Sequence, residues 1–284
     1  PGPVMTEGAF DSQNIAFWDR LAGCYRSYSR YWEAESGVRA IQSCTSRDFL
    51  AWSKPEPNHY AAGVPWEQFY TNAAVPCPGA EHIYLSFPKR FMPDRKKIPE
   101  HAHPGVSDAV FLSSRDGVNW DRSFLEAWLR PGPDPRNWTQ RSNMTATGII
   151  DTGPNEHSLY ISEHYCWDDH RIRRLVIRRH RFASVHAGTA GGAFTTRPFL
   201  FSGTRLLINA STSAAGSVRI ELQDANGRPL PGFGLDDMVP WYGDEFDAPV
   251  AWKGGEVARL RGRPVRLRVV LSDADLFAFR MAPE

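Results

Sequence analysis

The sequence lacks cysteine pairs, and this absence argues against both a disulfide framework and a zinc site. It has four cysteines in 284 residues, Cys24, Cys44, Cys77 and Cys166, and none belongs to a CxxC pair. No cysteine and histidine spacing is typical of a zinc site. We therefore predict free, partly buried thiols, no metal and no cofactor.

The sequence also lacks long apolar runs and an excess of charge of one sign. No segment is long and apolar enough to span a membrane. The formal net charge is +1, which gives no basis for electrostatic capture of nucleic acid. Two arginine-rich runs, Arg171–Arg174 and Arg178–Arg181, are interrupted by β-forming residues, so we predict solvated strand faces there. We predict neither a membrane nor a nucleic acid as a partner.

The N-terminus has no initiator methionine and no signal peptide. The chain begins Pro1-Gly2-Pro3-Val4, and strand-like patterns start within the first dozen residues. These features favour the tail portion of a longer protein, and they leave the cellular compartment open.

A repeated turn is the strongest positive signal in the sequence. Ser46–Trp52 and Ser114–Trp120 both read Ser-Arg-Asp followed by a tryptophan four residues after the aspartate, and they start 68 residues apart. A β-rich run precedes each copy, and a weaker third copy lies near Arg178–Phe182. A strand–turn–strand unit recurring at this period predicts propeller blades, with the tryptophan between neighbouring blades. The alternative is an ordinary hairpin turn that occurs twice by chance.

The strand patterns divide the chain into two regions. Residues 1–188 read as about three four-stranded units. In the second unit we predict a strand over 67–75, a polar excursion over 89–105 and a strand over 108–113. After Gly188 the two-residue alternation, with a hairpin turn at Asp224–Gly227, predicts a small antiparallel β-sandwich over 189–284. The predicted fold class is all-β, with propeller blades followed by a sandwich.

Several stretches carry a resemblance to a known family. They are Phe10–Asp19, the Ser-Arg-Asp-Gly turn at 114–117, Glu126–Gly132, Val265–Arg268 and Asp273–Leu276. Together they resemble a bacterial family that is similar to the five-bladed β-propeller glycosidases of glycoside hydrolase families 32, 43 and 68. The resemblance covers nearly the whole chain and implies a partial five-bladed propeller. The chain departs from the family at His180-Arg181, where the family has Asp-Gly, and it lacks the family's upstream propeller sequence.

The resemblance implies catalytic roles for two carboxylates. Glycoside hydrolysis uses one carboxyl group to protonate the leaving oxygen and another to attack or to activate water. By resemblance Glu67 is the general acid and Asp11 a supporting carboxylate, and the nucleophile or base lies upstream of this sequence. Aromatic neighbours of Glu67 would raise its pKa by desolvation. The alternatives are a solvated carboxylate at the start of a strand for Glu67 and a turn-capping aspartate for Asp11.

Ten further residues are candidate substrate-binding groups. Aromatic rings can stack on sugars, and polar side chains on loops and strand ends can bind hydroxyls or an acidic sugar. The candidates are Gln13, Asn14, Trp18, Arg30, Trp66, Tyr70, Arg90, His101, His103 and Asp108. Each also has a structural alternative: core packing for a tryptophan, a strand-end charge for the arginines (and for Lys89), and a mobile loop for the histidines. Calcium held by Asp236, Asp237 and Asp244 is an alternative to a solvated loop.

The sequence therefore predicts a glycoside hydrolase-like protein that acts on a glycan or small glycoside by carboxylate acid/base catalysis, present here without its nucleophile. A non-catalytic carbohydrate-binding propeller is one alternative. A sialidase-like enzyme is another, because the Ser-x-Asp-x-x-x-Trp turn is similar to the Asp-box of those propellers. Sialidases need three arginines for the substrate carboxylate, and no spacing in the sequence selects three.

Overall fold

The computed structural model describes residues 2–283, and these form two compact units. The first unit comprises the chain up to Gly153 and His157–Val176, and the second comprises Pro154–Glu156 and the chain from Ile177 onward. Strands dominate both units. The only helical segments within the described residues are two short 3-10 turns, at Pro135–Asn137 and Val257–Leu260. The predicted all-β fold class is confirmed.

The first sheet is a four-stranded antiparallel meander, in which each strand pairs with the next along the chain. Its strands are β1 (Ile15–Asp19), β2 (Cys24–Trp32), β3 (Arg39–Ser46) and β4 (Glu56–Pro57). A four-stranded meander is the architecture of a propeller blade, so this sheet matches the first predicted unit.

The second sheet is also a four-stranded antiparallel meander, with a hairpin inserted between its second and third strands. Its strands are β5 (Val75–Cys77), β6 (Ala80–Ser86), β9 (Leu112–Ser114) and β10 (Trp120–Asp121). The inserted hairpin pairs β7 (Lys89–Met92) with β8 (Val106–Ala109). The polar excursion predicted over 89–105 is thus shorter than expected, because its first residues pair as a strand.

The third sheet completes the series. It contains β11 (Met144–Thr145), β12 (Ile150–Gly153), β13 (Glu156–Glu163) and β14 (Arg171–Arg178), with β13 as the strand to which the others pair. Three four-stranded antiparallel sheets therefore follow one another along the chain, as the repeated turn predicts.

The two Ser-Arg-Asp turns have the same hydrogen bonds. Asp48 Oδ1 accepts from the backbone N–H groups two and three residues on, each at 2.8 Å. Asp116 Oδ1 accepts from the corresponding groups at 2.9 and 2.7 Å. In both copies the residue after the aspartate has a left-handed backbone, with φ of +67° at Phe49 and +78° at Gly117. The sequence repeat is therefore a structural repeat.

The second copy of the turn is packed against the first sheet. The Tyr28 hydroxyl donates to the Gly117 carbonyl oxygen at 2.8 Å, and its ring meets Trp120 edge-on at 5.9 Å. A Cβ added to Gly117 would lie 2.7 Å from the Tyr28 hydroxyl oxygen and 2.8 Å from Arg26 Nη1. Tyr28 and Trp120 belong to one buried cluster that joins residues of both sheets. Trp120 therefore lies between the first and second sheets.

Residues 67–74 do not form the sheet strand predicted over 67–75. The Gln13 side-chain oxygen accepts from the backbone N–H groups of Asn72 at 3.1 Å and Ala73 at 2.6 Å, and the Ser12 hydroxyl donates to the Tyr70 carbonyl oxygen at 2.8 Å. Side chains of the N-terminal segment thus satisfy backbone groups that a neighbouring strand would otherwise bind. The strand β5 begins only at Val75.

The second unit is one antiparallel sheet that encloses its own core. Its strands are β15 (Val185–Ala187), β16 (Gly192–Thr195), β17 (Arg205–Gln223), β18 (Asp244–Val250) and β19 (Arg266–Ala282). The long strands β17 and β19 pair along most of their length, with irregularities after Asn209 and between Thr212 and Ser217. Buried residues from both halves of each strand form a single apolar cluster. The core of this unit is therefore formed by both halves of the two long strands, whose pairing shifts at these irregularities.

Candidate functional site

Four cationic side chains of the first unit converge on the ring of Tyr70. Lys89 Nζ lies 3.8 Å from the ring centroid, and the guanidinium carbons of Arg30, Arg39 and Arg141 lie 4.8, 5.0 and 5.6 Å from it. The exposed carboxylate of Asp11 forms an ion pair with Arg30. We call these six residues, Asp11, Arg30, Arg39, Tyr70, Lys89 and Arg141, the Tyr70 cluster.

Sheet pairing brings the members of the Tyr70 cluster together. In the β2–β3 register Trp32 is opposite Arg39, so Arg30 and Arg39 project from the same face of the first sheet. The Tyr70 N–H donates to the Lys89 carbonyl oxygen at 2.9 Å, which sets Tyr70 beside β7. Arg141 comes from the turn before β11, where its N–H donates to the Ser107 hydroxyl at 3.1 Å. Residues from distant parts of the sequence therefore share one site.

The Tyr70 cluster holds more hydrogen-bond donors than acceptors. Among the described residues, five of its buried nitrogens have no partner: Nε and Nη1 of Arg30, Nε of Arg39, Nζ of Lys89 and Nε of Arg141. The remaining guanidinium contacts are few: Arg39 Nη1 donates to Gln68 at 3.0 Å, and Arg141 donates to the hydroxyls of Tyr165 at 2.5 Å and Tyr70 at 3.2 Å. Buried donors normally have acceptors, so these nitrogens are available to an acceptor from outside the protein.

Lys89 is the most unusual member of the cluster. Its side chain is fully buried, at 0% exposure. Burial and the nearby positive charges of Arg141, Arg39 and Arg30 hold the pKa of its ammonium well below the usual range for lysine. The Tyr70 ring offers a cation–π attraction, but it supplies no counter-charge. The charged form of Lys89 would therefore gain much from a nearby negative charge.

Glu67 belongs to a second group of charges. Its two carboxylate oxygens accept from Arg90 Nη1 at 2.9 Å and Arg122 Nη2 at 2.8 Å. Arg90 also makes two hydrogen bonds to Asp108, at 2.9 and 2.7 Å. Both Arg90 and Arg122 donate to the Leu125 carbonyl oxygen. Each carboxylate oxygen of Glu67 therefore has an arginine partner. We call Glu67, Arg90, Asp108 and Arg122 the Glu67 network.

The structure places Asp11 and Glu67 in separate groups. Lys89 and Arg90 are consecutive residues of β7, and consecutive strand residues point to opposite faces. Lys89 contacts the Tyr70 cluster, which contains Asp11, and Arg90 contacts Glu67. Asp11 is thus ion-paired to Arg30, whereas Glu67 is hydrogen-bonded to Arg90, which also binds Asp108. The catalytic roles of the two carboxylates stay predictions.

Gln13 and Asn14 have structural contacts. Besides its two bonds to Asn72 and Ala73, the Gln13 amide donates to the Thr145 carbonyl oxygen at 3.1 Å. Gln13 therefore ties together three segments of the first unit. The Asn14 amide donates to the Phe10 carbonyl oxygen at 2.9 Å and closes the turn in which Asp11 lies. These contacts hold the loop of Asp11 in place, and direct binding of a sugar by either residue stays a prediction.

The candidate aromatic platforms Trp18 and Trp66 lie on the surface. Trp18 is 48% exposed and meets Tyr25 edge-on, and Trp66 is 49% exposed and meets Tyr60 edge-on. Trp66 and Tyr60 line a hollow of about 390 Å³. Arg90 and Asp108 line another, of about 510 Å³, which Trp138 also borders. The exposure of both tryptophans leaves sugar stacking possible, and it stays a prediction.

The two candidate histidines differ in environment. His101 is buried at 4% exposure, and its ring nitrogens lie 3.0 Å from the His103 carbonyl oxygen and 3.1 Å from the Tyr165 carbonyl oxygen. His103 is exposed. His101 therefore anchors the β7–β8 loop, and His103 alone of the two is open to solvent.

The described residues show neither a metal cluster nor a helix that could span a membrane. Within residues 2–283, no three His, Cys, Asp or Glu side chains come together as a metal site. Two of the aspartates predicted as alternative calcium ligands form ion pairs instead. Asp244 is paired with Arg178 and Arg181, each at 2.6 Å, and Asp236 with Arg219 at 2.8 Å. In the same described range, no helix is long and apolar enough to cross a membrane. None of the four cysteines, all within the described residues, forms a disulfide.

Arg39 and Arg141 are members of the cluster that sequence reasoning missed. Arg39 was hidden in a β-rich run, and Arg141 lies in a polar stretch with no repeat or motif. Their separation, and their distance in sequence from Arg30 and Lys89, gives no periodic signal. Only the pairing of strands shows that they surround one tyrosine.

Comparisons with known proteins give weak matches. No protein-family model matches the chain, and no curated protein sequence does. An N-acetylgalactosamine deacetylase from F. plautii, solved with blood group B trisaccharide, is 13% identical with a TM-score of 0.38, over 56% of this chain and 41% of that one. A glycoside hydrolase family 32 structure from Bifidobacterium adolescentis is 10% identical with a TM-score of 0.36, over 91% and 66%.

A third similar structure is the family 32 β-fructofuranosidase of Bombyx mori, BmSUC1. It is 10% identical with a TM-score of 0.30, over 97% of this chain and 80% of that one. All three TM-scores are below 0.5, so these matches carry no argument about function. This chain spans about two fifths of the deacetylase structure.

Proposed function

We propose that this chain is a carbohydrate-active, glycosidase-like protein that binds its saccharide at the Tyr70 cluster. The observation that carries the proposal is the set of unpaired buried donors around an aromatic ring, beside an exposed carboxylate. Binding sites commonly combine such apolar surface with a few convergent polar groups. Asp11 is 68% exposed in its side chain and Arg30 is 5% exposed, so a buried guanidinium holds a carboxylate that a ligand can reach.

The finer proposal follows the resemblance to the bacterial family. It assigns residues 1–188 to propeller blades like those of family 43 and residues 189–284 to the sandwich domain. Asp11 would orient the sugar, and Glu67 would protonate the leaving oxygen after its ion pairs with Arg90 and Arg122 open. Of the two carboxylates, Asp11 has the stronger support because its side chain is exposed, whereas Glu67 is 18% exposed and fully paired.

Binding of a glycan panel tests the proposal. Titration calorimetry with fructosides, arabinosides and other oligosaccharides should find at least one ligand, and Asp11→Asn should weaken its binding about 10-fold, as expected for a charge-assisted hydrogen bond. The matched control is Asp236→Asn, because Asp236 is also an exposed aspartate paired to an arginine. The absence of binding across the panel, or equal binding by the Asp11 variant, would contradict the proposal.

Turnover separates an enzyme from a binding protein. Hydrolysis of the bound glycan that is lost in Glu67→Gln, with the variant still folded, would support the acid role. Binding that persists without turnover in the full-length protein would favour the non-catalytic alternative.

A further inference from the structure

We propose that the Tyr70 cluster recognises an anionic group of its ligand, a carboxylate or a similar oxyanion, with Lys89 and the three arginines as donors. This inference rests on the proposed function and names the substrate class: an acidic saccharide.

Charge is the first argument. With Lys89 protonated, the cluster holds four positive charges and one carboxylate, which forms an ion pair with Arg30. The positive charge then exceeds the negative charge by three, and with Lys89 neutral the three arginines still give an excess of two. Like charges gathered around one ring repel one another, and an oxyanion placed among them would remove that repulsion. A neutral sugar hydroxyl carries no charge and would leave that repulsion in place.

Unpaired donors are the second argument. Lys89 is 0% exposed and Arg30 4% exposed, and within residues 2–283 three of their side-chain nitrogens are buried without a hydrogen-bond partner. Buried charged donors are strongly disfavoured unless they are paired. An oxyanion offers several acceptor lone pairs at once, and guanidinium groups bind it in parallel pairs of hydrogen bonds. Arg39, Tyr70 and Arg141 are only partly buried, which gives the ligand a side from which to approach.

Proton uptake is a consequence that a merely structural cluster would not show. The groups that face Lys89 are the ring of Tyr70 and the guanidinium groups of Arg30, Arg39 and Arg141, with Asp11 behind Arg30. Because these cations and burial lower the pKa of Lys89, a bound anion should raise it again. Binding should therefore take up a proton at any pH at which Lys89 of the free protein is uncharged.

The experiment uses small probes on the intact chain. Titration calorimetry with D-glucuronate and with inorganic sulfate should show binding, whereas D-glucose should bind at least 10-fold more weakly. Lys89→Met and Arg39→Met should each weaken glucuronate binding about 10- to 100-fold, as expected for a hydrogen bond to a charged group. Arg20→Met is the control, because Arg20 is 76% exposed and paired only to Glu81. The heat of binding should differ between imidazole and Tris buffers, which reports the proton taken up.

The outcomes separate the two proposals. The anionic class is overturned if no anion binds, or if Lys89→Met and Arg39→Met leave glucuronate or sulfate binding unchanged. The proposed function still stands in that case if a neutral glycan binds in an Asp11-dependent way. Anion binding at the cluster without binding of any oligosaccharide has the opposite meaning: the proposed function fails and the anion site stands. If Lys89→Met does not fold, the Arg39→Met result and the buffer dependence of the unaltered protein decide.

Discussion

Glu67 is held between two arginines, and we expect its replacement by glutamine to destabilise the first unit. Arg90 would keep Asp108 as a carboxylate partner. Arg122 would not, since its side chain is 0% exposed and its other acceptor among the described residues is the Leu125 carbonyl oxygen at 3.0 Å. The cost of the substitution therefore falls mainly on a buried guanidinium that loses its counter-charge.

The size of the effect follows from the burial of this pair. Removing one partner of a buried ion pair costs about 3–5 kcal/mol in the free energy of unfolding. Glutamine keeps one acceptor oxygen, and Glu67 is itself 18% exposed, so we expect about 2 kcal/mol for Glu67→Gln and about 4 kcal/mol for Glu67→Ala. The double variant Glu67→Gln/Arg122→Met should recover part of the loss, because the unpaired charge is removed with its partner.

Urea unfolding at pH 7, followed by tryptophan fluorescence, measures these differences. Glu56→Gln is the matched control: Glu56 is 59% exposed and pairs with exposed His59, so its loss should cost less than about 0.5 kcal/mol. If Glu67→Gln unfolds at the same urea concentration as Glu56→Gln, or if 1 M NaCl removes the difference, the reasoning is refuted. A pure general-acid role predicts another pattern, with kcat reduced by about 10²–10⁴ and stability retained.

Two further predictions concern the repeated turn. Gly117→Ala should lower the free energy of unfolding by about 3 kcal/mol, because the left-handed backbone is strained by a side chain and Tyr28 is displaced. The control is Gly63→Ala, which is also left-handed but has open space around it and should cost about 1 kcal/mol. Equal losses in thermal unfolding would show that the contact with Tyr28 is unimportant. The pKa of Asp116 is lowered to about 2: burial raises it, but hydrogen bonds from Asn119, backbone N–H groups and Ser114 lower it by more. The contribution of Asp116 to stability should therefore be present above about pH 4 and lost as the pH falls through 2. Asp116→Asn should therefore show a smaller loss of stability between pH 4 and 2 in acid-unfolding curves, and an unchanged curve would count against this account.

The four-stranded sheets could be predicted because their signals are local. A Ser-Arg-Asp turn satisfies its own backbone groups through Asp48 or Asp116, and the flanking alternation of side chains is read within about ten residues. The same reasoning failed over residues 67–74. Their backbone groups are satisfied partly by Ser12 and Gln13, which lie more than fifty residues away and give no signal in the segment itself.

The sequence by itself determined that this protein is all-β, that a turn recurs, and that Asp11 and Glu67 are candidate catalytic carboxylates. Only the tertiary structure decided which charges meet. It separated Asp11 from Glu67 across β7, and it gathered Arg30, Arg39 and Arg141 around Tyr70 although no spacing selects them. The physical reason is that alternation along a strand fixes only the face from which a side chain points. Which other strands supply the neighbours on that face depends on sheet pairing between segments far apart in the chain.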